Sequence, residues 1–510
     1  MPTNVFESWK RLAAKRVEFL ERARDYSSLT VPSLYPPEGY NDTTELPTPF
    51  QSTGARGVNN LTSKLMLTLF PPHAPFFSLE PSQAAIDAVV AAGGDGTNLD
   101  EVRIDYAEVE RRALQRFDVS GARAPLFEAL QQLIVSGNTL FDWFDPDHPR
   151  TISLENHVVD RDALGVVREI IIRERIRVVD VPEAERSLCA LSEGDRSSQE
   201  TDLWSWVRLE PSKRYSFEQF VATNAVPLVG SRREFKPDAL PFLPVALRRQ
   251  ARESYGRGYV ELYFGSLISL EALSQALVEG AVAAARVLWM IDPNSASGLR
   301  PKDLAEKRNG AYTVGRAEDV KALQLDKFSD FQTAASVRGQ LTAEIEYGFL
   351  VNRSIQRQAE RVTAEEIRFM AQDLEEALGG VYGDLSTTLQ RPLIQLALRQ
   401  VDVPSLGGVA VLKVVSGSEG LGRGQELQRI RGFISDLVSL SSEAQTAIDP
   451  IGLAQALQYG WGVSKSHKLV RSAAELQQIV AQQRFAEAAS KAAPSLVNAI
   501  SKTNAPQGGG

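Results

Sequence analysis

Apolar residues recur every three or four positions in several stretches of the chain, and this spacing predicts amphipathic helices. In the N-terminal part it predicts helices over 5–26, 55–70 and 125–136. Pro71 directly follows the second of these, and a proline cannot continue a helix. Gly137 follows the third and is typical of a helix C-terminus. The N-terminal part is therefore predicted to be largely helical.

From 138 to 250 the pattern changes to short runs of β-branched and aromatic residues separated by turn residues. The clearest runs are TLFDWF, VVREIIIRERIRVVDV and LWSWVRLE. Runs of this kind with short connections between them are typical of antiparallel strands. The sequence therefore predicts a mostly antiparallel sheet here and, together with the helices on both sides, an α+β fold.

After 259 the pattern is helical again, and two long helices are predicted on either side of a small insertion. The first helix spans 266–290 and the second spans 328–350. The insertion, 291–327, carries turn-forming residues such as Pro293 and Gly298. Small side chains crowd the second half of the first helix, among them Gly280, Ala281 and Ala284.

Three further elements are predicted towards the C-terminus. Thr363 and Glu366 form a capping-box pattern, which begins another helix. The segment 406–417 is typical of a hairpin or an edge strand. The last segment, 465–500, is rich in Ala and Gln and is predicted to be helical.

Composition excludes several classes of protein. Of the 510 residues, 43% are hydrophobic and 24% charged, which excludes intrinsic disorder over most of the chain. The formal net charge is −8, whereas a surface built to bind nucleic acid throughout would be basic, so any contact with DNA is expected to be local. The single cysteine, Cys189, excludes an intrachain disulfide. No run of about 18 apolar residues occurs, so no transmembrane helix is expected.

The short motifs that carry enzyme chemistry are missing from the sequence. There is no GxxxxGK[ST] loop for nucleotide phosphates, no HExxH and no CxxC. His148 and His157 are near each other in sequence, but isolated surface or half-buried histidines explain them better than a metal pair does. We therefore expect no catalytic residue, no metal and no cofactor, and the protein is predicted not to be an enzyme.

Basic clusters stand out locally against the acidic whole. One lies in the insertion and comprises Arg300, Lys302, Lys307 and Arg308. A second has three arginines spaced four apart, at Arg353, Arg357 and Arg361. The segment 465–510 is also basic. Each cluster fits either a solvated surface or a local contact with phosphates or acidic proteins.

Four long blocks carry the most specific functional signal in the sequence. They are GARGVNNLTSKLMLTLFPP (54–72), ESYGRGYVELYFGSLISLEAL (253–273), RVTAEEIRFMAQDLEEALGGVYGDLSTTLQRPL (361–393) and GLGRGQELQRI (420–430). VPSLYP (31–36) and SGNTLF (136–141) add to them. Together they resemble, in the same order, the portal or head-to-tail connector proteins of short-tailed, podovirus-type (autographivirus-like) bacteriophages.

The resemblance implies a phage portal fold with a strand-rich wing, long stem helices, a clip and a crown, assembled as a ring. The implied regions are the wing over 1–265, the first stem helix over 266–290, the clip over 291–327, the second stem helix over 328–350, the tunnel loop and wing helix over 351–421, and the crown with a short C-terminal barrel or tail over 422–510.

The resemblance also implies a structural function at the unique capsid vertex, where terminase packages the genome through the ring, the genome is later ejected and the tail adaptor attaches. The implied partners are further copies of the chain in a dodecamer, double-stranded DNA without sequence-specific contacts, the terminase large subunit, the tail adaptor, and the major capsid, scaffold and internal core proteins. No membrane is implied. The expected location is the virion, after assembly in the cytoplasm of the host bacterium.

Residue roles follow from the same resemblance. The tunnel loop would present to DNA the residues Arg353, Gln356, Arg357 and Arg361. The clip would meet terminase or adaptor through Arg300, Lys302, Lys307 and Arg308. Neighbouring stem helices would approach closely at Gly280, Ala281 and Ala284. The basic helix over 465–500 would project towards packaged DNA or core proteins.

Two other interpretations remain open on sequence alone. The first is another structural virion protein, such as a tail adaptor or a scaffold, although adaptors are typically smaller and scaffolds are mostly helical. The second is a multidomain soluble enzyme whose site is assembled from distant residues. Several copies per tail would favour the first, and reproducible turnover would favour the second.

Overall fold

The structure is a computed structural model of the chain. It describes residues 4–41, 43–72, 76–81, 96–186, 199–221, 226–285, 288–291, 320–323, 328–351, 374–378, 380–401 and 412–416, with residues 302, 306, 308, 311, 312, 316, 370 and 432. The chain forms two compact units. The first comprises Met1–Pro72 and Phe117–Leu396, and the second comprises His73–Arg116 and Ala397–Gly510.

The helices of the described residues are α1 (Val5–Ser28), α2 (Thr53–Leu69), α3 (Gly96–Val119), α4 (Arg123–Ser136), α5 (Glu183–Arg186), α6 (Phe264–Ala285), α7 (Phe328–Gly348), α8 (Val381–Leu385) and α9 (Arg391–Arg399). Short 3₁₀ turns occur at Val178–Asp180, Pro237–Ala239 and Val260–Tyr263. The helices predicted over 5–26, 55–70, 125–136 and 328–350 are confirmed to within two residues at either end.

The strands are β1 (Phe77–Pro81), β2 (Asn138–Asp142), β3 (Arg150–Ile152), β4 (His157–Arg161), β5 (Val167–Arg177), β6 (Glu200–Leu209), β7 (Tyr215–Val221), β8 (Val226–Pro227), β9 (Arg233–Phe235), β10 (Phe242–Ala246), β11 (Leu288–Ile291), β12 (Val320–Leu323) and β13 (Leu412–Ser416). Each pairs antiparallel with its neighbours.

The strand-rich region forms two antiparallel sheets that share one core. The larger has the order β4-β5-β6-β7-β8, with β9 also paired to β7, and the smaller has the order β10-β2-β3. Ile170 and Phe217 of the larger sheet pack against Leu140 and Phe242 of the smaller one. Consecutive side chains are buried in β2 and in the middle of β5 and β6, so both faces of these strands are covered there. The predicted antiparallel sheet and α+β fold class are confirmed.

Helix α1 covers the other face of the larger sheet. Trp9 and Leu12 belong to a buried cluster with Trp204 and Trp206, and the Trp9 and Trp204 rings meet edge to face at 5.3 Å. The Asn4 side chain accepts a hydrogen bond from Phe6 N and caps the helix. The apolar stripe read from the sequence therefore faces the sheet.

A buried arginine in the middle of α1 binds the backbone next to β4. Arg16 is 8% exposed, and its Nη1 donates to the carbonyl oxygens of Leu154, Glu155 and His157 at 2.7 to 2.9 Å. These carbonyls lie directly before and at the start of β4. A single cation thus pairs three backbone acceptors that burial would otherwise leave unsatisfied.

The ESYGRGY block has a structural role beside β2. A Cβ at Gly258 would collide with the Val135 carbonyl oxygen, and one at Gly137 would collide with the backbone of Arg257. Gly137 also has φ +78°, which a side chain disfavours. Glycine is therefore required where these backbone segments cross.

The same block covers the free edge of β4, the outermost strand of the larger sheet. Tyr255 Oη accepts a hydrogen bond from Val159 N at 3.1 Å, and Ser254 Oγ accepts one from Arg161 N at 3.3 Å. These side chains thus accept hydrogen bonds from backbone N–H groups that an edge strand otherwise presents to solvent.

Helix α6 ends before the predicted position. The prediction extended to residue 290, but α6 ends at Ala285, and Leu288–Ile291 forms β11. Leu288 lies opposite Leu323 and Ile291 opposite Val320 in the pair with β12. The periodicity of a short apolar run fits a helix and a strand equally well. Here the run forms a strand because it pairs with β12, which lies about 30 residues further along the chain. The insertion predicted over 291–327 is therefore closed at its base by a two-stranded ribbon.

The helical segment Val381–Arg399 contains one irregularity. A π-helical turn, Ser386–Gln390, joins α8 to α9 just before Pro392. Proline has no backbone N–H and its ring crowds the preceding turn, so a wider turn relieves the clash. Leu389 within this turn and Leu393 just after it are both buried.

In the second unit, β1 pairs with β13, with Phe77 opposite Ser416. This agrees with the hairpin or edge strand predicted over 406–417, of which 412–416 is described. Leu79 N donates to the buried Glu110 Oε1 at 2.5 Å and so ties β1 to α3.

Candidate functional site

Helices α6 and α7 form an antiparallel pair. Ser266 near the start of α6 faces Glu344 near the end of α7, and Gly280 near the end of α6 faces Phe331 near the start of α7. A Cβ at Gly280 would run into the Phe331 ring, so the missing side chain lets the two helices meet. Gly280, one of the predicted packing residues, thus contacts the second helix of its own chain, whereas Ala281 and Ala284 are exposed.

Several apolar side chains of this pair are open to solvent. On α6, Ile268, Val278 and Val282 are 48%, 48% and 53% exposed. On α7, Val337 and Tyr347 are also exposed. Exposed apolar side chains that recur along one helix are candidates for a contact with another protein surface.

The stretch Val260–Ala285 is long and apolar enough to cross a membrane, by length and composition alone. Its 18-residue window has a mean hydropathy of 1.4, with 17% of the window buried in the chain. The sequence expectation of no transmembrane helix rested on the lack of an unbroken apolar run, which this window does not need, and it stays a prediction. A helix covered by other protein has the same composition.

The basic cluster of the insertion is described in part. Lys302 and Arg308 are exposed, and Arg300 and Lys307 lie outside the described residues. The tunnel-loop residues Arg353, Gln356, Arg357 and Arg361 and the basic helix over 465–500 also lie outside them. The described range that contains α7 ends at Val351, shortly before Arg353.

Sequence reasoning missed a polar stripe on α2 that contacts the end of α7. Arg56 forms an ion pair with Glu346 at 2.5 Å. One turn further along α2, Asn60 Nδ2 donates to the Phe349 carbonyl oxygen at 3.0 Å, and one turn beyond that Lys64 Nζ donates to the Leu350 carbonyl oxygen at 2.8 Å. The spacing of four was visible in the block 54–72, but the sequence did not indicate its partner.

The other long helix is tied to the same element. Glu271 of α6 accepts hydrogen bonds from Phe50 N at 2.8 Å and Gln51 N at 3.2 Å, just before α2 begins. Gln51 in turn accepts from Gly54 N at 2.8 Å in the first turn of α2. Helix α2 thus contacts α7, and the residues directly before α2 contact α6.

The two neighbouring histidines have separate environments. His148 is exposed and pairs with Asp145 at 2.9 Å, whereas His157 is 2% exposed and its Nδ1 donates to the Ser153 carbonyl oxygen at 2.8 Å. Burial lowers the pKa of His157 to about 3, so its ring is neutral. Among the described residues no group of histidine, cysteine and acidic side chains could hold a metal ion.

The chain matches the family of bacteriophage head to tail connecting proteins over residues 3–466. It therefore belongs to that family, as its sequence blocks predicted. Proteins of this family are virion components, and this one is a structural portal at the capsid vertex.

Its relatives are portal proteins of short-tailed phages. The chain is 38% identical to the portal protein of Enterobacteria phage T3 over 444 residues, which cover 85% of this chain and 82% of the relative. It is 34% identical to the portal protein of Escherichia phage T7 over the same shares of both chains. The chain is also similar to a chain in the neck of a native gene transfer agent particle, computed with C12 symmetry. The match covers 78% of this chain and 98% of the other chain, at 12% identity. The TM-score of this match is 0.32.

Proposed function

We propose that copies of this chain close into a ring, of twelve subunits, around a channel for double-stranded DNA. The observation that carries this proposal is the apolar surface of α6, with Val278 and Val282 about half exposed. A closed ring needs one patch of each subunit to bury a different patch of the next. Neighbouring copies, rather than lipid, would cover α6, and Ala281 and Ala284 would admit close approach.

The ring would act as a conduit during packaging and ejection. DNA carries about one charge per 1.7 Å, so a strongly basic channel would hold it, whereas an acidic protein with sparse cations lets it slide. The net charge of −8 favours a conduit. In this proposal the tunnel loop contacts phosphates without reading bases, through Arg353, Gln356, Arg357 and Arg361.

The insertion between α6 and α7 would form the clip, where the terminase large subunit and later the tail adaptor dock. The exposure of Lys302 and Arg308 supports this role, and Arg300 and Lys307 would complete the basic surface. Carboxylates on the partner would pair with these cations and speed association. Capsid, scaffold and internal core proteins are the remaining partners in this proposal.

The proposed regions follow the family pattern, with an earlier end of the first stem helix and an earlier start of the clip. The wing would extend to α6, the first stem helix would be Phe264–Ala285, the clip would begin with β11, and the second stem helix would be Phe328–Gly348. The tunnel loop would follow, and the crown would begin near 422. The chain itself would perform no catalysis, since the terminase supplies the energy for packaging.

The mass of the purified protein tests the proposal. We expect light scattering to give a particle near twelve times 56.0 kDa and negative-stain images to show a central hole. A homogeneous monomer or dimer, even with scaffold protein present, would contradict the ring. Neutralising Arg353 and Arg357 together should reduce DNA packaging or retention, and unchanged packaging would contradict the tunnel assignment alone.

A further inference from the structure

Strand β5 has a neighbour on both sides along only part of its length. It pairs with β6 as far as Arg177, but β4 pairs with it only from Val167 to Ile172. Directly after this stretch, Arg173 N still donates to Asn156 O at 2.8 Å. Beyond that hydrogen bond, no described strand lies on the β4 side of β5, so the end of β5 has an open edge.

The hydrogen-bond pattern identifies the open backbone groups. Along an antiparallel strand, the N–H and C=O groups of successive residues point alternately to one neighbour and to the other. Arg173 N points to the β4 side, and Val178 N, an odd number of residues later, donates to Gln199 O on the β6 side at 2.8 Å. The N–H and C=O groups of Arg175 and Arg177 therefore point to the β4 side, where the described chain offers them no strand.

The side chains add a free cation at the same place. Arg173, Arg175 and Arg177 lie on one face of β5, since side chains alternate along a strand. Arg173 Nη2 pairs with Asp202 Oδ2 at 3.0 Å, and Arg177 Nε pairs with Asp180 Oδ2 at 3.1 Å. Asp202 also lies opposite Arg175 in the register, but Arg173 already binds it. Arg175 is thus exposed, with no ion-pair partner among the described residues.

The other face of the same stretch is largely apolar. Ile176 packs against a cluster that includes the buried Val178 and Val221. Glu174 on this face accepts a hydrogen bond from Arg150 Nη2 at 3.0 Å, which offsets its charge. A strand added beside β5 would therefore meet a cation on one face and an apolar surface on the other.

The neighbouring edge of the same sheet is covered, so the opening on β5 is an exception. On β4, Tyr255 Oη accepts from Val159 N and Ser254 Oγ accepts from Arg161 N. Proteins normally cover or shorten strand edges, because unpaired backbone groups are a template for pairing with another chain. At the end of β5 such groups stay available next to an unpaired arginine.

We propose that the end of β5 is a docking site for an extended, acidic segment of a partner protein, which adds to the sheet as a short strand. Its backbone would bond the open N–H and C=O groups of Arg175 and Arg177, and a carboxylate would pair with the Arg175 guanidinium. Apolar residues between the carboxylates would face Ile176. The start of β4 and the 3₁₀ turn at Val178–Asp180 limit the opening on either side, so it admits a short segment rather than the edge strand of another sheet.

This docking site is independent of the proposed ring, because it lies in the sheet of a single chain. The probe is a short synthetic peptide in which glutamate alternates with valine, carrying a fluorescent label. We expect it to bind the purified full-length protein in an anisotropy titration, whereas the same peptide with lysine in place of glutamate should not bind. Absence of binding to the glutamate peptide, or equal binding of both peptides, would overturn the inference.

Arg175→Pro removes the open N–H and the cation together. Because this N–H has no partner within the sheet, the variant should keep the wild-type melting temperature and bind the glutamate peptide at least about tenfold more weakly. Should it fail to fold, Arg175→Glu keeps the N–H and should reverse the preference in favour of the lysine peptide. Arg168→Ala is the matched control, because Arg168 is also exposed on β5 but lies beside β4. An equal loss of binding in this control would contradict a site at the end of β5.

Hydrogen exchange locates the contact on the backbone. The Arg175 and Arg177 amides should exchange more slowly when the peptide is bound, whereas the Ile176 amide, which faces β6, should not change. A bound peptide that leaves the two arginine amides unprotected would mean attraction through charge alone and would overturn strand addition. Displacement of the peptide by a short DNA duplex, again without protection, would assign Arg175 to phosphate binding instead of a protein partner.

Discussion

Buried cations in this chain donate to backbone carbonyl oxygens. Arg16 pairs three carbonyls before and within β4, and Lys64 pairs the end of α7. Arg161 donates to the Gly165, Ser254 and Pro244 oxygens, and burial, with repulsion from Arg249, lowers its pKa to about 10. At each point, truncating one side chain would leave buried acceptors unpaired, which costs more than the bond itself contributes.

His157 gives a pH-dependent prediction at the residue scale. Burial disfavours the charged ring and lowers the pKa of His157 in the folded protein to about 3, below the ordinary histidine value of 6.5. Between these values the unfolded chain binds the proton and the folded chain does not. Stability should therefore be complete above pH 6.5 and fall as pH decreases towards 3, by up to about 1.4 kcal/mol per pH unit.

Urea unfolding followed by tryptophan fluorescence between pH 7 and 4 measures this dependence. His157→Gln cannot titrate, so the difference in pH dependence between wild type and variant isolates the histidine from the carboxyl groups. Parallel curves for the two proteins would mean that the ring is accessible to protons in the folded state.

At the scale of elements, the α6–α7 pair depends on one close approach. Gly280→Ala places a Cβ against the Phe331 ring, and the ring must move or the helices must separate. We expect a loss of about 1 kcal/mol of unfolding free energy, despite the better helix propensity of alanine. Gly339→Ala is the matched control on α7, because a Cβ there meets open space.

The control should be stabilising by about 0.5 to 1 kcal/mol, since alanine loses less conformational entropy than glycine in a helix. Thermal unfolding of both variants gives the comparison. A Gly280→Ala protein as stable as Gly339→Ala would show that Phe331 turns aside without cost.

Sequence patterns predicted those elements whose periodicity is long and uniform. Helices α1, α2 and α7 agree with the prediction because an apolar stripe over many residues admits one interpretation. The helix prediction is wrong for Leu288–Ile291, because these residues form a strand with Val320–Leu323 and the local pattern does not show a distant partner. The polar stripe of α2 was visible, but its contact with the end of α7 depends on the tertiary fold. The roles of the tunnel arginines came from family resemblance and stay predictions.

At the scale of the whole molecule, assembly should be sensitive to charge on α6. Val278 and Val282 are exposed in the single chain, so acidic residues there should not unfold it. In a ring they would place unpaired carboxylates in an apolar contact, which costs several kcal/mol for each subunit. We expect Val278→Asp with Val282→Asp to reduce the assembled fraction at least about tenfold.

Val17→Asp is the matched control, because Val17 is 47% exposed on α1, a helix of similar length. Light scattering should show that this variant still assembles. Rings that form equally well from both proteins would remove α6 from the subunit contact.

The covered edge of β4 has a consequence for the proposed ring, in which many copies of the chain would meet. Unpaired edge strands of neighbouring molecules can zip together into continuous sheets, which leads to aggregates of no fixed number. Tyr255 and Ser254 accept hydrogen bonds from the Val159 and Arg161 N–H groups, and the strand at the other end of the sheet order, β8, has only two residues. Both features disfavour pairing of this sheet with the sheet of another molecule. Crowded subunits are thereby left to associate through their helices, where the number of copies is set by geometry.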